Sequence, residues 1–238
     1  MKKALTLARR EMAGYFFSPV AYVIGALFLL STGLWFFQTI FIPGQEASLR
    51  PLFDAMAYLM IFAMPVLTMR LVSEEYHSGT IETLMTAPVT DAEVIVGKFL
   101  GVMAFYVVLL LCTGVLLALM AAFGQPDPGL AAMGYLGLLL LGAAYAAVGL
   151  FTSTLTRYQL VAAIAGVAVL AAFSVGMQAL VGATGEPFNR IAARLNTMTY
   201  FRDFSRGVFD TRGVVYFVSV AALMLFLSVK TLESRRWR

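Results

Sequence analysis

The chain has 238 residues, 61% of them hydrophobic and only 13% charged, with a net charge of +4. Soluble domains carry about 25% charged residues, so this composition points to a polytopic membrane protein, and no basic face suggests nucleic-acid binding. One Cys (Cys112) and one His (His77) exclude an internal disulfide and a zinc site built from Cys and His alone.

Residues 1–18 read as an amphipathic helix on the membrane surface. Leu5, Ala8, Met12 and Phe16 recur at helical spacing opposite Lys2, Lys3, Arg9 and Arg10, and Ser18-Pro19 breaks the pattern. The charges at Arg9, Arg10 and Glu11 interrupt it too early for a cleaved signal peptide. Six apolar runs follow, at residues 20–42, 52–72, 94–123, 130–155, 160–181 and 214–230. A helix of about 20 residues crosses the hydrocarbon layer. The sixth run reaches that length when Lys230 snorkels to the headgroups. With the N-terminus in the cytoplasm, eleven of the 17 basic residues face inward and six outward, so both termini are expected inside. The expected fold is all-α, a single transmembrane domain of six spans.

The polar connections have distinct shapes. The segment 73–91, within "SEEYHSGTIETLMTAPVTDAEVIVGK", lies between the second and third spans and is the main polar interruption on the cytoplasmic side. Glu74 and Glu75 continue the second helix, Gly79 breaks it, and Thr80 opens a short helix with Glu82 in its first turn. Ile81, Leu84 and Met85 give that helix an apolar face, and Pro88 ends it. Thr90-Asp91-Ala92-Glu93 is a capping box for the third span. By physics alone this is either a docking surface or an ordinary capped connection. Residues 123–129 make a tight outer turn and 156–159 a short inner one. Residues 186–213 are too polar to span and too apolar for a free loop: Phe188, Ile191, Leu195 and Met198 share a face, Arg190 and Arg194 lie one turn apart, and Phe201, Phe204 and Val208 interleave with Arg202 and Arg206. They read as one or two short helices in the outer interface. Small residues crowd the fourth and fifth spans, from Gly134 to Gly166, and favour close helix packing.

The span interiors carry no ionisable group away from their ends, which argues against a proton- or sodium-driven carrier. No catalytic constellation supports a membrane enzyme. "VGKFLG" has Phe99 where a phosphate-binding loop needs Ser or Thr, and Ala92 where it needs Gly, so a nucleotide site is not expected here. A pump of this kind needs energy from another polypeptide. The remaining alternative is a membrane scaffold that anchors or transmits force without moving a substrate.

The run from Glu75 to Thr90, Glu-x-x-x-Gly-Thr-Ile-Glu-x-Leu-x-x-x-Pro-Val-x, followed by Gly97-Lys98-Phe99, resembles the coupling-helix signature of type-2 ATP-binding-cassette (ABC) permeases. The opening "REMAGYFFSPVAY" and the C-terminal 39 residues are similar to the subgroup of gliding-motility and nitrous-oxide-reductase-maturation permeases. The resemblance spans essentially the whole chain. It implies a bacterial inner-membrane permease, not itself an enzyme, working as a dimer with a second copy or a paralogue. Two cytoplasmic ATPase subunits would bind the ATP and Mg, leaving no cofactor in this chain. It implies an ATPase interface at Glu74, Glu75, Gly79, Thr80, Ile81, Glu82, Leu84, Met85 and Pro88. Leu5, Arg9, Arg10 and Met12 would belong to a connecting helix, and Arg190, Arg194, Arg202 and Arg206 to an outer hairpin before the last span. It admits a periplasmic or membrane accessory protein. Tyr76-His77-Ser78 departs from the more basic residues common before the Gly-Thr.

Overall fold

The computed structural model describes residues 2–40, 48–80, 89–123, 127–183, 185 and 188–236. Among them there is helix and no strand. The chain begins with α1 (Lys2–Phe16) and α2 (Pro19–Ile40), followed by α3 (Arg50–Thr68) and α4 (Arg70–Ser78). Then come α5 (Asp91–Phe123), α6 (Pro128–Leu155) and α7 (Gln159–Ala171). A π-helical turn (Ala172–Gly176) joins α7 to α8 (Met177–Ala183). Last come α9 (Phe188–Leu195), α10 (Thr197–Ser205) and α11 (Thr211–Arg236). Six helical stretches are long and apolar enough to cross a bilayer: Pro19–Thr39, Arg50–Ser78, Asp91–Ala122, Pro128–Leu155, Gln159–Val181 and Thr211–Ser234. The protein is an all-α, multi-pass membrane protein. The end of α4, the start of α5 and the end of α6 lie with α1 at one end of the bundle, called here the α1 end. The start of α3, the start of α6 and residues 188–210 lie at the far end.

The α6 helix is the centre of the bundle. It packs on α3, α5, α7, α10 and α11. Its glycines make this possible: a Cβ added at Gly134, Gly142 or Gly149 would fall 2.2, 2.2 or 2.1 Å from Phe53, Tyr106 or Thr68. Without a hydrophobic force between helices in lipid, such close approach is what gains dispersion contact. Several polar groups inside the bundle are paired across helices. Tyr106 donates to the Leu138 carbonyl at 2.8 Å, and the Tyr145 and Ser174 hydroxyls pair at 2.8 Å across α6 and the π-helical turn. α10 turns its apolar face toward the bundle. Met198, Phe201 and Phe204 are buried, and Phe204 fills the notch at Gly137, so these aromatics close the far end of the core.

Candidate functional site

α1 lies across the start of α5 because α5 has no side chain there. A Cβ at Gly97 would meet the Leu7 Cβ at 2.9 Å, and one at Gly101 would meet the Glu11 Cβ at 2.6 Å. The inward face of α1 comprises Ala4, Leu7, Ala8, Glu11 and Tyr15, with Ala4, Ala8 and Tyr15 buried and Leu7 packed against the core. Of the stripe Leu5, Ala8, Met12 and Phe16, expected to face the membrane surface, Ala8 is covered by protein, while Leu5, Met12 and Phe16 centre about a quarter of the circumference away from the covered face at 100° per residue. Leu5 is 67% exposed, Met12 half-buried and Phe16 exposed, while Arg9 and Arg10 face solvent. The amphipathicity is real, but protein occupies one flank of the helix and leaves the apolar stripe beside it.

Between Gly97 and Gly101 stands Lys98, 1% exposed. Its ammonium donates to Glu75 Oε1 of α4 at 2.7 Å and to Glu11 Oε1 of α1 at 3.1 Å. The two carboxylate side chains are 18% and 20% exposed. One buried cation therefore ties together three helices whose residues are up to 87 positions apart. Glu75 Oε2 is buried with no hydrogen-bond partner. Neither Lys98 nor Glu11 was singled out as a site by the sequence reading. The available signal was a lone Lys eight residues into a 33-residue apolar helix, which demands a counter-charge.

Arg70 makes a second clasp. Its guanidinium donates to Ser18 Oγ and, at 3.3 Å, to the Gly14 carbonyl, and its Cζ sits 4.9 Å from the Tyr15 ring centroid. Tyr15 in turn donates to the Leu67 carbonyl at 2.8 Å and stacks on Phe105 at 5.0 Å. Burial raises the Tyr15 phenol above its ordinary value, so it stays a donor. These contacts fix the exit of α1 onto α3 and α5.

The α3–α4 rod is interrupted at Met69. Ser153 of α6 explains the interruption: its Oγ accepts from the Val72 and Ser73 amides, each at 3.1 Å, and donates to the Met69 carbonyl at 2.8 Å. A hydroxyl inserted into the i→i−4 ladder is a recognised cause of a helix break. Pro65, inside α3, already removes one donor from the preceding turn. Met69 itself keeps helical angles, φ −53° and ψ −35°, so α4 follows α3 toward the 73–91 connection without leaving the helical region, and Ser153 ties their junction to α6.

The expected interface residues are partly in view. Glu74 and Thr80 are exposed. α4 ends where predicted, at Gly79, whose φ of 73° is left-handed and suits a residue without Cβ. Thr80 lies in a turn, with its hydroxyl 2.8 Å from that of Ser78. Ile81, Glu82, Leu84, Met85 and Pro88, and with them the short helix expected after Thr80, lie outside the described residues. The capping box at the start of α5 is formed as read: Glu93 N donates to Thr90 Oγ1 and Thr90 N donates to Glu93 Oε2, both at 3.2 Å. Between α1, α4 and α5 opens a cleft of about 630 Å³ whose walls include Arg10, Gly14, Glu74, Ser78 and Lys98. At the far end, Arg190, Arg194 and Arg206 are exposed and Arg202 is half-buried. Among the described residues no group of His, Cys, Asp and Glu could hold a metal ion.

Residues 5–229 match the family described as "ABC-2 family transporter protein". No curated protein matches the chain.

Proposed function

The chain belongs to the ABC-2 transporter family, and from that premise we propose that it is the permease subunit of an ATP-driven exporter in a bacterial inner membrane. Two such chains, or this chain and a paralogue, form the pathway. Cytoplasmic ATPase subunits that bind ATP and Mg dock on the 73–91 connection, with the α1 end in the cytoplasm. The subgroup resemblance leaves room for an accessory protein on the membrane or periplasmic side.

The observation that carries this reading is the Lys98 junction. A force applied below Ser78 meets α4, whose carboxylate Glu75 shares one buried cation with α1. Displacing α4 therefore moves α1 with it or breaks a buried ion pair, and breaking such a pair costs roughly 3–5 kcal/mol. The Ser153 joint passes the same motion to α6 at the bundle centre. A subunit pushed from outside the membrane needs this kind of connection.

The groove between α2 and α3 supports a position for the pathway. It has a volume of about 540 Å³ and its walls include Ser31, Trp35, Asp54, Tyr58 and Phe62. Tyr58 reaches Gln178 of α8 at 3.4 Å. Polar groups at membrane depth face other helices or water rather than lipid. Exposed apolar side chains occur on α2 (Val23, Leu27, Leu30, Leu34), α5 (Leu111, Val115, Leu119) and α11 (Val215, Val218, Leu223, Phe226) alike, so the polar groups of the groove, not exposure, favour the α2–α3–α8 side as the dimer seam.

The test is co-purification and stimulation of the ATPase in proteoliposomes. Deleting residues 80–85, or Glu82→Lys, is expected to abolish both while membrane insertion stays normal. An ATPase that still co-purifies and is stimulated normally would remove the docking claim.

A further inference from the structure

The outward side of this protein carries charge that its topology does not need. Residues 185–212 contain five arginines (Arg190, Arg194, Arg202, Arg206 and Arg212) against three acids (Glu186, Asp203 and Asp210). Basic residues near spans normally accumulate on the cytoplasmic side. A positive segment opposite to that side calls for a local reason.

α9 supplies the geometry. Phe188, Ile191 and Leu195 form one stripe, 68%, 54% and 39% exposed, although all three are large and apolar. Ala192, the small residue behind them, is buried. Together with Met177 and Leu180 of α8 they line a groove of about 210 Å³ with apolar walls throughout. The groove adjoins the outward surface of the fifth span, where Phe173, Val175 and Leu180 are also exposed, so it opens toward the bilayer. Arg190 and Arg194, one turn apart, are both exposed on the flank of the same helix. α9 is held in this attitude by two phenols. Tyr200 donates to the Arg194 carbonyl at 3.2 Å and Tyr216 to the Leu195 carbonyl at 2.9 Å, and their rings stack at 4.4 Å.

An exposed apolar stripe beside a basic flank is the pattern of a helix that lies in a membrane interface. We propose that α9 docks an anionic phospholipid of the leaflet at the far end, the outer leaflet in the orientation proposed above. One acyl chain lies in the α8–α9 groove and the phosphate sits against Arg190 and Arg194. The Tyr200–Tyr216 stack joins this lipid site to the start of α11. The charge argument rests on the orientation proposed above, whereas the groove and the arginine pair need only the far end to meet a bilayer.

The test uses the full chain with Phe188→Trp in a background where Trp35 and Trp237 are replaced by Phe. It is reconstituted in vesicles of phosphatidylcholine, with brominated phosphatidylglycerol or brominated phosphatidylcholine as quencher. Quenching of the new Trp is expected from both lipids, with phosphatidylglycerol preferred. About 1 kcal/mol per arginine corresponds to roughly fivefold in that preference for each of Arg190 and Arg194. Arg190→Gln with Arg194→Gln is expected to bring the ratio to about one, while the double Lys variant keeps most of it. Loss of quenching by both lipids in the Gln variant would mark misfolding, and the Lys variant then decides. The proposal is overturned by equal quenching in the parent, by a ratio indifferent to the Gln substitutions, or by quenching from aqueous iodide alone. It is also overturned if soluble glycerol phosphate displaces the phosphatidylglycerol, because the ligand is then a free phosphate.

Discussion

Lys98 is the residue on which the α1 end depends most. Its ammonium is almost fully buried against two carboxylates, so its removal leaves Glu11 and Glu75, each about a fifth exposed, facing each other at the edge of the cleft without a counter-charge. Lys98→Met is expected to lower the stability of the purified protein by roughly 3 kcal/mol, read as a drop in the unfolding midpoint. Glu11→Gln, which leaves the shorter Glu75 pair in place, is expected to cost less. A Lys98→Met protein as stable as the parent would mean that the cluster carries no net load. Charge at this site was legible one residue at a time, as Glu11, Glu75 and Lys98. Their convergence was not, because they sit on three elements and only packing decides which carboxylate reaches which cation.

At the scale of elements, α1 and α4 are held to the bundle through α5 and α6. α1 rests in the notch left by Gly97 and Gly101, where the Glu11 Cβ would lie 2.6 Å from an added Cβ. Gly101→Val is therefore expected to lift α1 from α5 without disturbing the spans. A cysteine at Ala8, 7% exposed in the bundle, reports this in a Cys112→Ala background. It should resist a maleimide in the parent and react in the Gly101→Val protein. Continued protection would show that Lys98 and Arg70 hold α1 without the notch. The heptad-like stripe of α1 was plain in the sequence, but its facing was not. Leu5 and Phe16 are more apolar than Ala4 and Ala8, yet the small pair takes the protein side, where the Ala4 and Ala8 carbonyls and the Leu7 and Glu11 side chains approach Gly97 and Gly101. The Ser153 joint was likewise invisible, since a serine near a span end gives no hint that it will take two amides from another helix.

For the whole molecule, the sorting of polar and apolar faces sets the arrangement of two copies. If the α2–α3–α8 side is the seam, Ala55→Cys, in the groove beside Asp54, should form an oxidative cross-link between chains in native membranes. Leu223→Cys, on the exposed apolar face of α11, should not. The reverse pattern would move the seam to the opposite side of the bundle. By itself the sequence determined the membrane class, the number of spans, the break at Gly79 and the capping box at Thr90–Glu93. Each of these is decided by residues close together in the chain: a continuous apolar run, a single residue without Cβ, or two side chains three positions apart. Only the tertiary structure decided which flank of α1 is covered, that α10 turns its aromatics inward, that Lys98 bridges α1 and α4, and that Ser153 holds the joint in the second span. Those outcomes rest on close contacts between helices distant in sequence, and in an apolar solvent such contacts are selected by shape and polar pairing rather than by hydrophobic pattern.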